Sequence, residues 1–598
     1  MCGIAGIINF KGRPVLQEEL KKMTDAIAHR GPDGEGFFID EAVGFGHRRL
    51  SIIDLSDAAA QPMTRFGLTI TYNGEIYNYI ELRKELESAG YAFISKSDTE
   101  VILAAYHYWG KDCVQRFNGM WAFAIYDAAN KEVFLSRDRF GEKPLYYSYS
   151  AKQLLLSSEI KGLLAIADRC RPNEEMVAAF LVDGFCEHRE QTFFKGILKL
   201  PAGTNLIVSL VNGSAVATQY YTPHANAFAI NTTEDEVVTQ LTSLLSESVR
   251  LRLRSDVGVG SCLSGGTDSS LIVAHMKPFF ASQTVGRFKA ITATSADMSV
   301  NEERYAGMVA RHCELNWKTV EPSAEMYFDS LEQLVKVQEE PFVSASIAMQ
   351  FFVMQLAKKE GLSVLLDGQG ADELFLGYSS YWPAKLNWNG SGTNWRFLHQ
   401  VMKNNSISPS LMAKLWLRPK LSGLKMKVDH LNHSSNILTK ASAIIKPWQK
   451  QKELSLSSRE SFQQFELMEG SLPALLRYED KNAMSVGVET RLPFLDYKLA
   501  EFALALPLEY LTKNGWSKYS LRKAAVHILP AEVVWRNRKL GFEAPQDGWQ
   551  LKAERFEHLL KKSSLLQYLY PQLHWPSQPK LAWRMLMIAL WEKQMLTS

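Results

Sequence analysis

The strand-to-helix turn near the middle of the chain constrains the fold more than any other part of the sequence. An apolar run ends in Ser264, Gly265 and Gly266, and a helical pattern follows at residues 269–275. Glycines let the backbone approach a phosphate closely, and the N–H groups at a helix start attract its negative charge. The lysine of a Walker A loop is absent, so a different kind of nucleotide loop is indicated. This part of the chain is therefore expected to be an α/β unit that binds a phosphate.

The length of the chain indicates more than one domain, because 598 residues exceed what one hydrophobic core usually supports. No stretch approaches the roughly 18 apolar residues of a membrane span, and the N-terminus lacks the pattern of a signal peptide. We therefore expect a cytoplasmic enzyme. The six cysteines form no CxxC pair, which argues against a disulfide framework or a structural zinc site. They are Cys2, Cys113, Cys170, Cys186, Cys262 and Cys313.

Cys2 directly follows the initiator methionine. If Met1 is removed, one residue carries both a thiol nucleophile and a free α-amine, whose pKa is near enough to neutrality to accept the thiol proton. Taken alone, a cysteine at this position is more often an ordinary buried residue. The sequence does not show that Met1 is removed. Other residues in the first half of the chain are therefore needed to distinguish a catalytic N-terminal cysteine from an ordinary buried one.

The first half reads as short strands separated by Gly and Pro, for instance at residues 119–127 and 132–136. It predicts a layered α/β or α+β domain whose last strand is Thr204–Leu210, followed by a polar linker at residues 222–234. Arg49 and Asp98 carry opposite charges, which can bind the carboxylate and the ammonium group of a zwitterion such as an amino acid. Each such feature is more often structural, but together with Cys2 they indicate an amino-acid site.

The first half resembles the class II glutamine amidotransferase domain of the N-terminal-nucleophile hydrolases. The matching motifs occur in the order found in that family. They are Cys2-Gly-Ile-Ala-Gly6, His29-Arg-Gly-Pro-Asp-Gly34, His47-Arg-Arg-Leu-Ser-Ile-Ile-Asp54, Asn73-Gly-Glu-Ile-Tyr-Asn78, Ser97-Asp98 and Arg137-Asp-Arg-Phe-Gly-Glu-Lys-Pro-Leu-Tyr146.

This resemblance implies that Cys2 attacks the amide carbon of glutamine, and that the Asn73 side chain and the Gly74 N–H form the oxyanion hole. It implies that Arg49 binds the glutamine carboxylate, and that Glu75 and Asp98 bind its ammonium group. The glutamine-binding residues are then Arg49, Asn73, Gly74, Glu75 and Asp98. The products are glutamate and ammonia.

In the second half, the loop at residues 264–270 resembles that of the ATP-pyrophosphatases, which split ATP between its α and β phosphates. A second strand-to-turn unit at residues 363–375 carries several more acids. The implied ATP-binding residues are Leu263, Ser264, Gly265, Gly266, Asp268, Ser269, Ser270, Asp367 and Gly368. Carboxylates do not bind triphosphate directly, so Asp268 and Asp372 imply a bridging Mg²⁺. The alternative is that these acids only favour a helix N-terminus.

With further motifs at residues 339–341, 477–481 and 484–496, the chain resembles the glutamine-dependent asparagine synthetases over nearly its whole length. The implied architecture has two domains. Residues 2–220 form a layered α/β/β/α glutaminase, and residues 235–598 form a doubly wound parallel sheet with ATP at the carboxyl ends of the strands. The implied substrates are glutamine, ATP and aspartate.

The implied chemistry in the second half is adenylation of a carboxylate to an acyl-AMP, followed by attack of ammonia to give an amide. A tunnel between the two sites would keep the ammonia unprotonated. Lys539 lies beside a Gly turn in the segment at residues 535–542, where a cation can neutralise charge on the pentavalent α-phosphate. A lone lysine is otherwise a surface residue, so Lys539 is a candidate catalytic residue by position only.

Gln369 departs from the family pattern, because well-studied members carry a glutamate there that handles the acceptor and the ammonia. A glutamine can form hydrogen bonds but cannot take a proton. We keep Gln369 as a candidate catalytic residue and leave two acceptors open. The first is aspartate; the second is another carboxylate, such as a uronic acid of a surface polysaccharide or a peptide or antibiotic precursor.

A basic segment at residues 385–452 contains twelve Lys or Arg against one acid, Asp429, and four tryptophans. A solvated helical face with packed tryptophans explains it best. A larger acceptor pocket, or an acidic surface or nucleic acid as partner, is the alternative. We expect no nucleic-acid partner and no membrane span, and leave a homodimer open.

Overall fold

The computed structural model describes residues 2–167, 170–225, 232–281, 288–298, 300–388, 395–405, 407–410, 412, 436–537, 556–569, 576 and 578–596. The strands are β1 (Gly3–Asn9), β2 (Gly34–Asp40), β3 (Val43–Arg49), β4 (Met63–Arg65), β5 (Leu68–Ile76), β6 (Gly119–Asp127), β7 (Glu132–Arg137), β8 (Tyr146–Tyr149), β9 (Gln153–Ser157), β10 (Leu198–Lys199), β11 (Thr204–Ser209), β12 (Ala215–Gln219), β13 (Val259–Cys262), β14 (Lys289–Ala293), β15 (Asn316–Val320), β16 (Val364–Leu366), β17 (Glu489–Arg491), β18 (Thr512–Lys513) and β19 (Trp516–Ser517).

The helices of the first half are α1 (Gln17–Ala26), α2 (Tyr79–Ser88), α3 (Asp98–Trp109), α4 (Ile160–Leu164) and α5 (Glu174–Asp183). Those of the second half are α6 (Glu234–Arg252), α7 (Thr267–Ala281), α8 (Glu303–His312), α9 (Ala324–Gln338), α10 (Ser346–Lys359), α11 (Ala371–Leu374), α12 (Trp382–Trp388), α13 (Trp395–Asn404), α14 (Asn436–Ser455), α15 (Arg459–Met468), α16 (Leu472–Met484), α17 (Tyr497–Ala505), α18 (Leu508–Leu511), α19 (Tyr519–Ala525), α20 (Ala531–Val534), α21 (Glu557–Lys562), α22 (Ser564–Leu569) and α23 (Pro579–Met595).

The first half stacks two six-stranded antiparallel sheets, in the orders β10-β8-β9-β1-β3-β2 and β12-β11-β7-β6-β5-β4. Strand β1 is apolar along both faces because both are covered. Ile4 and Ile8 pack between the sheets, while Ala5 and Ile7 face the helix side with Leu20. Helices α1 and α4 cover the first sheet, and α3 covers the second. This is the layered α/β/β/α fold that the resemblance implies.

One expectation about the first half is wrong. The strand at residues 204–209 is not the last one, because β12 follows it and pairs antiparallel with it, Thr204 facing Gln219. Strand β12 is a largely exposed edge strand. An edge strand that buries little side-chain surface carries little of the apolar pattern by which a strand is predicted.

The second half contains a five-stranded parallel sheet in the order β15-β14-β13-β16-β17. Strands β14 and β15 are added on one side of β13, and β16 and β17 are then added on its other side. The strand order therefore reverses between β13 and β16. Ligands of doubly wound sheets bind at such a switch point, outside the carboxyl ends of the strands. Here those ends lead into residues 263–266 and residues 367–370.

Buried charges fix the two halves against each other. Arg30 is fully buried and donates to both carboxylate oxygens of Asp480, at 2.8 and 3.1 Å, and to Glu159 at 2.8 Å. The carboxylate of Glu339 accepts from the backbone N–H of Ile160 at 2.9 Å. Breaking a buried pair leaves an uncompensated charge and is strongly destabilising. The relative position of the halves is therefore specified by charge as well as by apolar packing.

The described parts of the basic segment are helical and lie partly in the interior. The ring centroid of Trp448 lies 3.8 Å from that of Phe185, and α14 packs along α5 of the first half. Trp388 donates from Nε1 to the Leu456 carbonyl at 2.9 Å. These tryptophans connect helices, and Trp416 lies outside the described residues. In the part of the chain that is described, no helix combines the length and apolar character of a membrane span.

Candidate active site

Cys2 lies immediately before β1, is 9% exposed, and lines a small pocket together with Arg49, Glu75 and Asp98. Its backbone N–H donates to Asn73 Oδ1 at 2.9 Å. This bond leaves the Nδ2 group of Asn73 as a buried donor, and no described acceptor contacts it. Burial raises the pKa of the Cys2 thiol. The thiol is therefore protonated at rest and needs a neighbouring base to act as a nucleophile.

Gly74, in β5, has no room for a side chain. Its φ is +154°, and a Cβ placed on it would lie 2.1 Å from the Met120 carbonyl oxygen. Only glycine lets β5 pass so close to β6 at this point. Gly74 lines the same pocket as Cys2. The two predicted oxyanion donors, on Asn73 and Gly74, are consecutive in one strand beside the thiol.

Two acids of this pocket are poised for a cation. Asp98 begins α3 and accepts from Tyr72 Oη and from the backbone N–H of Ile76, both at 2.9 Å. Glu75 is buried, and its Oε2 has no donor among the described residues. Burial raises the pKa of both carboxyls, and for Glu75 the nearby Glu489 adds to the effect. A ligand ammonium group would favour the ionised forms.

The opposite charge in the pocket is Arg49, at the end of β3. Its guanidinium is held by two backbone carbonyls, those of Ser56 at 2.9 Å and Asp54 at 2.5 Å. Because these partners are neutral, the charge is oriented but not neutralised. The structure thus brings together all the residues predicted to bind glutamine, with the cation and the anions that a zwitterion requires.

The loop after β13 has the compact geometry of a phosphate cradle. The backbone N–H of Ser264 donates to Ser269 Oγ at 3.2 Å, and Ser270 N–H donates to the Gly266 carbonyl at 3.1 Å. Gly265 has φ +68°, and a Cβ there would lie 2.4 Å from the Ala306 backbone nitrogen. The predicted residues from Leu263 to Ser270 therefore form one turn that leads into the start of α7, and the N–H groups of a helix start can bind a phosphate.

The second loop lies against the first. A Cβ on Gly368 would lie 3.1 Å from the Asp268 Cβ, so Asp367 and Gly368 are neighbours of the phosphate loop. Lys518 Nζ lies between the two predicted metal ligands, 2.5 Å from Asp268 and 2.7 Å from Asp372. Burial acts to lower the pKa of Lys518, but the two carboxylates outweigh it and raise that pKa. The site therefore contains a permanent cation.

Lys518 is a functional candidate that the sequence analysis missed. Its backbone is in the left-handed region, at φ +54°, where a non-glycine residue is strained and such strain is often found at functional sites. Lys539, the lysine that was predicted, lies outside the described residues. Lys518 carried no local signal, because it is one lysine in an ordinary helix start, 250 residues from Asp268.

We call residues 367–370, which follow β16, the acceptor loop, and in it Gln369 contacts a side chain from another element. Its Nε2 lies 3.5 Å from Oε2 of Glu479, a residue of α16 that is 1% exposed. Gln350 donates to the same oxygen. Glu479 was part of a motif used for the resemblance, but the sequence analysis assigned it no role.

Comparison with known proteins decides the family. The family described as glutamine amidotransferase domain matches residues 1–221, and the family described as asparagine synthase matches residues 240–592. The chain is 34% identical to glutamine-hydrolyzing asparagine synthetase 1 of Bacillus subtilis, over 95% of this chain and 91% of the relative. The chain belongs to the asparagine synthase family. It is also 31% identical to a putative asparagine synthetase of Mycobacterium tuberculosis, over 95% of this chain and 90% of the relative.

In this asparagine synthase family member, Arg491 connects the two sites. It ends β17, its Nε donates to Glu489 at 2.6 Å, and its Nη2 lies 3.7 Å from Glu75 in the glutamine pocket. Its carbonyl accepts from the backbone N–H of Asp367 at 3.0 Å, in the acceptor loop. One residue of the second half therefore contacts both the pocket around Cys2 and the loop after β16, where glutamine and ATP are predicted to bind.

We expect Arg491→Lys to raise the KM for glutamine roughly tenfold while the ammonia-dependent rate changes little. A lysine keeps the charge but lacks the fork that reaches Glu489 and Glu75 together. Steady-state kinetics with each nitrogen donor measure the effect. Arg477→Lys is the matched control, since Arg477 is also buried and pairs with Glu340 at 2.9 Å, away from the glutamine pocket. Equal changes in both variants would contradict this role.

A cavity of about 310 Å³ lies between the halves and is lined by residues of both, including Glu142 and Arg477. Glu142 is 3% exposed, and neither carboxyl oxygen has a donor among the described residues. Burial, and then the charge of Asp138, raise the pKa of Glu142 to about 8. Glu142 is therefore largely a neutral acid at neutral pH.

Glu142 should make the stability of the protein fall as pH rises. The unfolded carboxyl ionises near pH 4.5 and the folded one near 8, so between these values only the folded state keeps the proton. The stabilisation is complete below about pH 4.5 and is lost by about pH 8, a change on the order of a few kcal/mol. Thermal melting at pH 6 and pH 9 measures it. Glu142→Gln should show a smaller drop in Tm than the wild type, and an equal drop would refute the assignment.

Proposed function

We propose that this protein is a glutamine-dependent asparagine synthetase, a glutamine-hydrolysing carbon–nitrogen ligase. It takes the amide nitrogen of glutamine, adenylates aspartate with ATP, and releases asparagine, glutamate, AMP and pyrophosphate. The observation that carries the proposal is Arg491, through which one strand contacts both a glutaminase pocket and an ATP loop. Relatives over nearly the full length are named asparagine synthetases, which supports aspartate over other carboxylate acceptors.

In the glutaminase pocket, the sulfur of Cys2 attacks the amide carbon of glutamine after Met1 has been removed. The free α-amine of Cys2 accepts the thiol proton and passes it to the departing ammonia. Asn73 Nδ2 and the Gly74 N–H donate to the oxyanion as its charge develops. Water then hydrolyses the thioester to glutamate. The unpartnered Asn73 Nδ2 supports this assignment.

In the synthetase site, the loop of residues 264–270 binds the phosphates of ATP, and Lys518 neutralises charge beside them. The carboxylates of Asp268 and Asp372 fit Mg²⁺ as ligands. Asp268 Oδ1 is buried and accepts no hydrogen bond from the described residues, and Asp372 contacts the same Lys518 ammonium group as Asp268, at 2.7 Å. Bound Mg²⁺ would screen the triphosphate. The described residues contain no group of three metal-binding side chains, so phosphate and water oxygens would complete its shell.

Ammonia has to cross from one pocket to the other without being protonated. Leu50, Ile52 and Met120 of the glutaminase half belong to one apolar cluster with Leu263 and Leu492 of the synthetase half. The cluster includes Leu50, whose carbonyl contacts the Cys2 sulfur, and Leu263, which directly precedes Ser264, so it supports a dry route along the interface. ATP and free glutamine are abundant in the cytoplasm, which we propose as the compartment. A homodimer remains a prediction.

The experiment that tests the proposal uses glutamine labelled with ¹⁵N in the amide, with ATP, Mg²⁺ and aspartate. Labelled asparagine and one AMP per asparagine are the expected results, measured by mass spectrometry. Glutamate without labelled asparagine would reject aspartate as the acceptor while leaving the glutaminase assignment intact. Absence of glutamate would reject the assignment of the Cys2 pocket.

A further inference from the structure

The acceptor loop and α16 bring together two buried carboxyl groups, those of Asp367 and Glu479, to which the proposed mechanism gives no proton-transfer role. Glu479 and Asp367 are both buried and close enough to shift each other's pKa, and the Cys262 thiol also lies against Asp367. Each has one oxygen, Glu479 Oε1 and Asp367 Oδ2, to which no described N–H or O–H group donates. One proton shared between the two carboxyls satisfies both oxygens. The pair therefore carries one proton and one negative charge, and it titrates as a unit.

The other oxygen of Glu479 is held by a chain of amides. Gln338 donates to Asn482 at 2.9 Å, Asn482 donates to Gln350 at 3.0 Å, and Gln350 donates to Glu479 Oε2. All these side chains are buried. Every donor in the chain points toward Glu479, and a carboxylate oxygen is the acceptor that such a chain favours. Glu479 is thus held in one orientation without a cation to neutralise it.

The position of the pair fits the place where ammonia meets the acyl adenylate. Asp367 directly follows β16, and the next residue of its loop lies against Asp268 of the phosphate loop. Glu479 is followed in α16 by Asp480, which pairs with Arg30 and lies 3.7 Å from Lys143, both in the glutaminase half. The pair therefore lies between the ATP site and the half of the molecule that releases ammonia.

We propose that Glu479, paired with Asp367, is the general base that removes a proton from the attacking ammonia in place of the carboxylate that Gln369 lacks. The proposal rests on the proposed function. The ammonia lone pair forms a bond to the carbonyl carbon of aspartyl-AMP, and the carbonyl electrons move to oxygen. Glu479 accepts one proton from the new N⁺ while the proton that the two carboxyls share passes to Asp367, so the pair ends with two protons and no charge. The carbonyl re-forms as the carbon–oxygen bond to AMP breaks, giving asparagine and AMP.

Gln369 then has a different task from the glutamate of other members. Its Nε2, 3.5 Å from Glu479 Oε2, can donate to the base or to the substrate but cannot exchange protons. Burial, followed by the charge of Asp367, raises the pKa of Glu479, while the more distant Lys143 acts to lower it. Burial raises the pKa of Asp367 to about 6. The pair can therefore accept a proton transiently and release it near neutral pH.

Glu479→Gln tests the proposal, because it is nearly isosteric and cannot take a proton. Amide synthesis should fall roughly 10²–10⁴-fold with either nitrogen donor, as expected for loss of a general base. Aspartate-dependent ATP–pyrophosphate exchange and glutaminase activity should stay within about threefold of wild type. The double variant with Gln369→Glu should make amide at least ten times faster than Glu479→Gln alone. A purely structural role of Glu479 does not predict this rescue.

Glu592→Gln is the matched control, since Glu592 is a buried carboxylate of the same half that accepts from Ser563 and Ser564, remote from both sites. Amide synthesis within tenfold of wild type in Glu479→Gln, or loss of pyrophosphate exchange in a folded variant, would overturn the proposal. If Glu479→Gln does not fold, Glu479→Asp is tested instead. This variant should slow amide synthesis at least tenfold and leave pyrophosphate exchange unchanged, and amide synthesis at the wild-type rate would overturn the assignment of Glu479 as the base.

Failure of the proposed function would already show in the wild type, as absence of asparagine.

Discussion

Replacing Cys2 with alanine is expected to lower glutaminase activity and glutamine-dependent asparagine formation by at least about a thousandfold, and to leave ammonia-dependent synthesis within about twofold of wild type. The sulfur is the only nucleophile in its pocket to which the mechanism gives a bond-forming step, so its loss removes that step entirely. The synthetase half contributes no group to that attack and needs only the ammonia.

The structure indicates that this variant stays folded. The sulfur makes one weak contact, 3.8 Å from the Leu50 carbonyl, and the Cys2 N–H bond to Asn73 does not involve the side chain. Parallel assays with glutamine and with ammonium chloride measure the two activities. Cys170→Ala is the control, because Cys170 is a partly buried free thiol that belongs to neither site. Loss of ammonia-dependent synthesis in Cys2→Ala would mean that the halves cannot work separately.

Features that depend on neighbours in sequence were predictable. The strands expected at residues 119–127 and 132–136 from their apolar runs are observed at 119–127 and 132–137, and the phosphate loop was expected from the order strand, glycines and helix. The parallel sheet followed from the resemblance, and the structure confirms it. In each case the physical cause, backbone geometry or periodic burial, acts over fewer than about fifteen residues.

Features that depend on distant contacts were not predictable. Lys518 meets Asp268 across 250 positions, and Glu479 meets Gln369 across 110. No periodicity records such a contact, since a buried lysine or glutamate looks in sequence like any charged residue on a helix. Gln369 was recognised as a departure from the family, but its compensation by Glu479 requires the packing of α16 against the loop after β16. Local motifs therefore predicted where the sites lie, and tertiary contacts supplied the ionisable partners.

Replacing Lys518 with methionine is expected to lower AMP formation and aspartate-dependent pyrophosphate exchange by at least about a hundredfold with both nitrogen donors. Lys518 is the ion-pair partner of Asp268 and Asp372, at 2.5 and 2.7 Å. Without Lys518, no side-chain cation lies between the two carboxylates and the triphosphate. Like charges that are close together in a buried site repel strongly, so binding of ATP is disfavoured. Glutaminase activity should persist, because Cys2 and its pocket contain no residue from this site.

Lys523→Met provides the control for this prediction. Lys523 belongs to α19, the helix that Lys518 directly precedes, but its side chain is about one-third exposed and pairs with Glu234 at 3.3 Å. A surface pair of this kind contributes on the order of 0–1 kcal/mol, so its loss should leave both activities near wild type. Pyrophosphate exchange within tenfold of wild type in Lys518→Met would mean that another cation neutralises the phosphates. Lys518 acts before the acyl adenylate forms, and Glu479 acts after it. Pyrophosphate exchange is therefore lost in Lys518→Met and kept in Glu479→Gln. The two variants together separate activation of the carboxylate from its amidation.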